Sequence, residues 1–287
     1  RLGYQYTLQD QIQGGVGRAT PTGNVGGRVQ NFSLNGNPNA SAPTSPVVNR
    51  EGYEVLTSGA VTRANAFQYA SPVMGGFQGL VQFATQADDK NQNDPTKTGQ
   101  ADAKLSAFAA KYSQGPLNLG LAHQTIKSEA RAYGTATDKD LSTKTTDTTI
   151  AGNYDFGVAK VFVNTFNRKT TITTGSAVNY DGDYSDNVWG LYKNGGSLKR
   201  KGTDYGVSAP FGKTTLFAAM GSGKYIGSSD GTTEATAKIK ARVLGATYDL
   251  SKRTSLNAYY SLTKATYDAQ VNELSKKNIG FGLRHQF

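Results

Sequence analysis

The sequence predicts an all-β chain, a transmembrane, antiparallel, up-and-down β-barrel. Three features carry that reading. Apolar and polar residues alternate with a period of two, as in strands whose two faces meet different solvents. Short Gly- and Pro-containing turns take turns with long polar connections along the whole chain. Helical periodicity is almost absent.

The alternation is clearest at residues 278–287. Ile279, Phe281, Leu283, His285 and Phe287 share one face, and Asn278, Gly280, Gly282, Arg284 and Gln286 share the other. The same sorting separates Phe77, Gly79, Val81 and Phe83 from Gln78, Leu80 and Gln82. Twelve strands are expected, over about residues 1–7, 65–71, 77–85, 104–113, 117–127, 146–156, 159–169, 199–209, 214–224, 238–249, 255–266 and 278–287. One of them breaks the rule. In 238–248 the parity that turns Leu244, Ala246 and Tyr248 outward also turns Lys240 and Arg242 outward. A bulge near Val243 and a position above the membrane are both compatible with this.

Short connections are read at Val73-Met74-Gly75-Gly76, Gln114-Gly115-Pro116, Asp155-Phe156-Gly157, Pro210-Phe211-Gly212-Lys213 and Leu250-Ser251-Lys252-Arg253-Thr254. Gly supplies positive φ in such turns and Pro fixes φ. The other connections are long, over roughly 8–61, 86–102, 128–144, 170–198, 226–236 and 267–276. Turns on one rim and loops on the other describe an outer-membrane barrel, whereas a compact soluble domain has little use for so many long loops. Aromatic residues gather near the short turns, at Tyr69, Phe77, Tyr112, Tyr154, Phe156, Phe211, Tyr248 and Phe287, as an interfacial girdle requires.

Composition agrees. Mean hydropathy is −0.50 and only 37% of the 287 residues are hydrophobic, with no apolar run long enough for a transmembrane helix. A barrel strand needs only about 9–11 residues with alternate ones apolar, so a polar average is compatible with a membrane protein. The 34 Gly and 16 Tyr suit antiparallel strands, and the absence of Cys excludes disulfides and thiolate metal sites. The chain opens on RLGYQYT, already alternating, so any targeting segment is expected to have been removed or to lie outside it. The net charge of +10 points to an anionic partner: nucleic acid, lipid headgroups or small anionic solutes.

Several segments resemble the β-proteobacterial general porins. Gly282-Leu283-Arg284-His285-Gln286-Phe287 is similar to that family's GLRHxF ending. Gly245-Ala246-Thr247-Tyr248-Asp249 followed by Leu250-Ser251-Lys252-Arg253-Thr254 resembles the approach to its penultimate strand. Arg63-Ala64-Asn65-Ala66-Phe67-Gln68-Tyr69-Ala70-Ser71-Pro72 resembles its RxNNSIxYxSP strand, one residue shorter, and Val73-Met74-Gly75-Gly76-Phe77 continues the match. Leu2-Gly3-Tyr4-Gln5-Tyr6-Thr7 is similar to its LGRQYT, with Tyr4 where Arg is usual. The resemblance implies a sixteen-stranded barrel, a homotrimer, and a third loop folded inward to constrict the pore. Residues 8–61 would be that loop within a single barrel domain, 1–287. Because residues 1–7 resemble the family's fifth strand, the resemblance also implies that four N-terminal strands are missing; a genuine twelve-stranded barrel is the alternative. Phe287 matches the terminal aromatic read by the barrel-insertion machinery.

The function expected is a water-filled channel for passive diffusion of small hydrophilic solutes, in the outer membrane among lipid and lipopolysaccharide. Cations lining a narrow pore favour anions, because low-dielectric walls focus the field and screening acts only over about 8 Å. Lys111, Lys160, Arg168 and Arg284 fall on lumen parities. The resemblance places Arg63 at the constriction, and Arg18, Arg28 and Arg50 join it from the first long loop. Long external loops acting as adhesin, receptor or surface-layer anchor form the alternative. No enzyme is expected: His123 and His285 lie on separate strands, no metal-ligand cluster exists, and Gly221-Ser222-Gly223-Lys224 lacks the spacing of a phosphate loop. No cofactor is expected; Asp88-Asp89 and Asp181-Gly182-Asp183 leave calcium in an external loop as a minor option. Scattered basic residues, without clustered aromatics, argue against nucleic acid.

Overall fold

The structure is a computed structural model and describes residues 1–16, 63–86, 99–132, 141–174, 196–228, 234–267 and 273–285. These form twelve strands and one helix: β1 (Leu2–Tyr6), α1 (Leu8–Gly15), β2 (Arg63–Ala70), β3 (Phe77–Gln86), β4 (Gly99–Gln114), β5 (Leu117–Ala132) and β6 (Leu141–Asp155), then β7 (Lys160–Thr174), β8 (Ser197–Phe211), β9 (Thr214–Ser228), β10 (Glu234–Asp249), β11 (Thr254–Tyr267) and β12 (Glu273–His285). All twelve belong to one sheet, ordered β1 to β12 as in the chain, and each pairs antiparallel with its sequence neighbour. An up-and-down meander of this kind makes every connection local, on one rim or the other.

The turns on one rim are tight. Gly115 (φ 56°) and Gly212 (φ 60°) occupy the two-residue connections β4–β5 and β8–β9, where an L side chain would be strained. Between β10 and β11 the Ser251 hydroxyl accepts from the backbone N–H groups of Arg253 (3.2 Å) and Thr254 (3.0 Å). At the other rim the strands run several residues farther than alternation predicts: β4 begins at Gly99 and β7 continues to Thr174. Those extensions, GQADA and TTITT, lack a regular apolar face, so they read as loop, yet their backbone groups remain in the ladder.

The two faces of the sheet differ as the period of two requires. Phe67, Phe83, Phe108, Ile150, Val163, Leu244, Ile279, Phe281 and Leu283 are exposed on the outward face, Phe281 by 81%. Ala66, Gln82, Ala107, Gln124, Asp147, Thr149 and Asn164 are buried on the inward face. Large aromatic and aliphatic side chains thus point away from the covered side while glutamine, asparagine and alanine are inside. That is the reverse of a soluble sandwich, and it is the arrangement a lipid exterior requires.

The irregular segment in β10 is resolved. Its pairing with β9 and β11 continues in step through Val243, so no bulge is present. Ile239, Ala241 and Val243 are buried, and Lys238, Lys240 and Arg242 are exposed on the outward face. A cation on the lipid face costs about 2–4 kcal/mol at the bilayer midplane and about 0–1 near its surfaces. Lys238 and Lys240 therefore belong at the level where hydrocarbon ends, with Arg242 one step nearer the apolar band, opposite Met220.

Helix α1 departs from the expectation of no helical pattern. Leu8, Ile12 and Val16 recur at i, i+4 and i+8, and the hydroxyl of Thr7 caps the start by accepting from the Asp10 N–H at 3.3 Å. One short amphipathic turn-pair among long alternating segments is easily overlooked, but the capping residue and the spacing were both present.

Candidate functional site

Helix α1 lies on the inward face, over β3, β4, β5 and β6. Its apolar stripe, Leu8 and Ile12 (both 0% exposed) with Val16, packs into a hollow lined by small residues: Ala64, Ala66, Ala84, Ala107, Ala109, Ala122 and Ala151. Gly120 completes the hollow; a Cβ there would stand 2.8 Å from Ile12 Cδ1 and 3.5 Å from Val16 Cγ2. Alanine and glycine at these positions are what let a helix approach a sheet wall closely.

The polar side of α1 is fixed by amides. The Leu8 N–H donates to Gln82 Oε1 (3.1 Å), Gln9 Nε2 to Asp147 Oδ1 (2.9 Å) and to the Thr149 hydroxyl, and Gln13 Nε2 to Thr149 Oγ1 (2.9 Å). Asn153 Nδ2 donates to the carbonyl of Val16 at 2.9 Å, satisfying one acceptor at the helix end. Gln11 Nε2 reaches both the Tyr6 carbonyl (3.0 Å) and Gln68 Oε1 (2.9 Å). A buried hydrogen bond contributes about 0.5–1.5 kcal/mol net. Several together, added to the apolar stripe, make α1 a fixed part of the inner wall.

Charge continues from this contact around the inner face. The register sets Asp147 of β6 opposite Arg168 of β7, and Arg168 opposite Arg200 of β8. All three are buried on the inward face. Farther along the same strands Asn164 Nδ2 donates to Asp204 Oδ1 at 2.9 Å. Two guanidinium groups thus stand on neighbouring strands, with Asp147 across from the first and Asp204 four residues along the strand from the second.

The other expected residues are spread over the wall. Lys111 is on the inward parity of β4, opposite Gly120. Lys160 is inward at the start of β7 and forms an ion pair with Asp155 (3.2 Å) at the tight-turn rim. Arg284 is exposed near the turn end of β12, opposite Ser255. Arg63 is the first residue of β2, opposite Tyr6, and shares the strand parity of Asn65 and Phe67. Arg18, Arg28, Arg50, Phe287 and the acidic pairs at 88–89 and 181–183 lie outside the described residues, as does the expected constriction loop 8–61 beyond Val16. Arg200 was overlooked in the sequence because it sits between Lys199 and Lys201; strict alternation through that run turns only Arg200 inward. Among the described residues no three His, Cys, Asp or Glu side chains gather as a metal site.

An antiparallel meander, apolar outside and polar inside, with a helix laid on its inner wall, defines an outer-membrane β-barrel protein. The family model for the Gram-negative porins matches residues 1–268, and the chain belongs to that family. An outer membrane porin protein of Bordetella pertussis is 28% identical over 237 residues, 78% of this chain and 57% of that one. The chain thus spans a little over half the length of that relative. Among solved structures, an anion-selective porin from Comamonas acidovorans matches with a TM-score of 0.54 at 23% identity, over 79% of this chain and 60% of that one. A loop L8 deletion mutant of OmpT, an outer membrane protein of Vibrio cholerae, matches with a TM-score of 0.61 at 14% identity, over 99% and 74% of the two chains. These likenesses are of fold.

Proposed function

We propose that the chain forms the wall of a water-filled channel for passive diffusion of small hydrophilic solutes, with a preference for anions. The observation that carries this reading is the inward-facing pair Arg168–Arg200 on adjacent strands. Guanidinium groups stay charged at any relevant pH, and low-dielectric walls concentrate their field in the lumen. The anion-selective porin of the same fold supports the sign of the preference. Arg18, Arg28 and Arg50 add to it at the constriction, and Lys111, Lys160 and Arg284 near the tight-turn end of the pore, while Arg63 starts β2 on the parity of the outward Phe67. Assembly as a homotrimer accords with the trimer form of OmpT. Phe287 serves as the signal to the insertion machinery.

Planar-bilayer recording in a salt gradient tests the reading. Wild-type channels should give steady open steps and a reversal potential of anionic sign. Arg168→Glu with Arg200→Glu should move that potential toward cations, and Arg63→Glu, tested separately, measures whether the first residue of β2 acts on the pore. An unchanged reversal potential in the double variant would remove the arginine pair from selectivity; absence of conductance in the wild type would remove the channel.

A further inference from the structure

Lysines on the outer surface form a belt. The register sets Lys201 of β8 opposite Lys224 of β9, and Lys224 opposite Lys238 of β10. Lys240 stands opposite Lys264 of β11. Lys104 of β4 stands opposite Lys127 of β5, which stands opposite Lys144 of β6. Lys169 of β7 stands opposite Lys199 of β8. All are on the parity of the exposed apolar residues, outside the wall. Like charges directly opposite across a ladder repel, and six such pairs make this face strongly positive.

The belt runs level. Lys127, Lys224 and Lys264 are each the tenth residue after the tight-turn ends of their strands, Leu117, Thr214 and Thr254. Lys104 and Lys201 are each the tenth before Gln114 and Phe211. At three places the basic position steps two residues toward the turns, from Thr171, opposite Lys144, to Lys169, from Lys199 to Lys201, and from Lys238 to Lys240; elsewhere lysine stands directly opposite lysine. Steps of one sign are the stagger that keeps a row horizontal around tilted strands. Ten residues at about 3.3 Å each, tilted by about 40°, rise about 25 Å, the height of the apolar band of an outer-membrane barrel.

We infer that this belt binds the phosphate groups of the lipids of the outer leaflet, at the headgroup level away from the tight turns. The inference rests on the outer-membrane setting and not on the channel's selectivity. Membrane lipid, rather than a soluble anion, is the occupant because each lysine row continues on the same face into apolar surface: Lys201 leads through Thr203 to Tyr205 and Val207, and Lys224 through Ser222 to Met220 and Leu216. One molecule carrying phosphates and acyl chains fits both parts of that face. Register also marks the upper limit of the belt, since the next outward position sets Asp102 opposite Glu129.

The test uses the full chain in phosphatidylcholine vesicles containing either lipid A with two phosphates or the same lipid A stripped of them. Retention of lipid A on the purified protein is measured by native mass spectrometry. The wild type should retain the phosphorylated form and lose the stripped one. Lys201→Gln, Lys224→Gln and Lys238→Gln together should weaken retention roughly a hundredfold, from the usual contribution of a lysine at an anionic surface. The corresponding Arg variants should keep it, and the Lys104→Gln, Lys127→Gln, Lys144→Gln set repeats the test should the first set not insert. Conductance and reversal potential should stay at wild-type values in all of them, which separates failure of the belt from failure of the channel. Equal retention of stripped and phosphorylated lipid A, or full retention by the Gln variants, would overturn the proposal. So would displacement of the lipid by excess inorganic phosphate, which would make the belt a site for a soluble anion.

Discussion

Arg168 and Arg200 stand directly opposite one another on β7 and β8, both turned inward, with Asp147 opposite Arg168 on its other side. Asp204, four residues beyond Arg200 on the same strand face, holds Asn164 at 2.9 Å. The inner wall therefore carries both signs within one region, and its preference is a balance. Asp204→Asn, which keeps size and hydrogen-bonding capacity, should raise anion preference, and Arg200→Gln should lower it. Both changes should shrink on passing from 0.1 to 1 M salt, as the screening length falls from about 10 to about 3 Å. Reversal potentials at the two salt levels measure this. Shifts that ignore ionic strength would mean that these residues act through pore shape and not through charge.

The fixed seat of α1 predicts a steric result. A methyl group at Gly120 would lie 2.8 Å from Ile12 Cδ1 and 3.0 Å from its branch methyl Cγ2, so Gly120→Ala should be accommodated only by a shift of that buried side chain, with loss of stability. Gly120→Val has no such room and should lift the helix from the wall, raising single-channel conductance if α1 narrows the pore. Ile12→Ala leaves the helix in place over a hollow, at a cost of about 2–5 kcal/mol typical of buried truncations. Conductance and thermal denaturation together separate the two: Gly120→Val should change both, and Ile12→Ala chiefly the second.

Most of this architecture was legible in the chain. The twelve strands, the tight turns and the outward face of Ile279, Phe281 and Leu283 follow from a period of two, because a pleated strand sends neighbours to opposite sides. The helix did not stand out, since Leu8 and Ile12 make a single short stripe inside a long polar stretch. The destination of the positive charge was the larger omission. A net +10 suggests a basic lumen, yet Lys201, Lys224, Lys238 and their neighbours face outward, while Arg168 and Arg200 face acidic company inside. Net charge has no direction; only the register supplies one. The strand expected over 199–209 already contains the Lys199-Arg200-Lys201 run, and its alternation turns Arg200 alone inward, between two outward lysines.

The Asp155–Lys160 ion pair, at 3.2 Å on the tight-turn rim, gives a prediction about which lumen cations count. Both side chains are partly exposed, and Asp155 also accepts from the Gly157 N–H at 2.9 Å in the turn. An exposed pair of this kind adds little to stability. Lys160→Gln should shift the reversal potential slightly toward cations by leaving the Asp155 carboxylate unpaired, and Asp155→Asn slightly toward anions by leaving the Lys160 ammonium unpaired. Equal and opposite shifts of large size in the two variants would show that the rim, and not the Arg168–Arg200 region, sets selectivity.

A last relationship explains part of the glycine content. Gly202, Gly245 and Gly280 stand opposite Phe166, Phe217 and Tyr259 in the register, and in each pair the aromatic ring lies where the glycine Cβ would be. A bare backbone beneath a ring lets the ring lie flat along the inner wall, covering ladder hydrogen bonds that a glycine leaves exposed, instead of standing into the lumen. Gly280→Ala should thus destabilise the barrel well beyond the usual effect of a surface strand substitution, whereas Gly280→Ala combined with Tyr259→Ala should recover part of the loss. Heat dissociation of the detergent-solubilised protein, followed by gel mobility, supplies both numbers and their coupling. Additive losses in the double variant would mean that the ring and the glycine are neighbours without interaction; a coupling of opposite sign to the single losses confirms that Tyr259 occupies the space Gly280 leaves open.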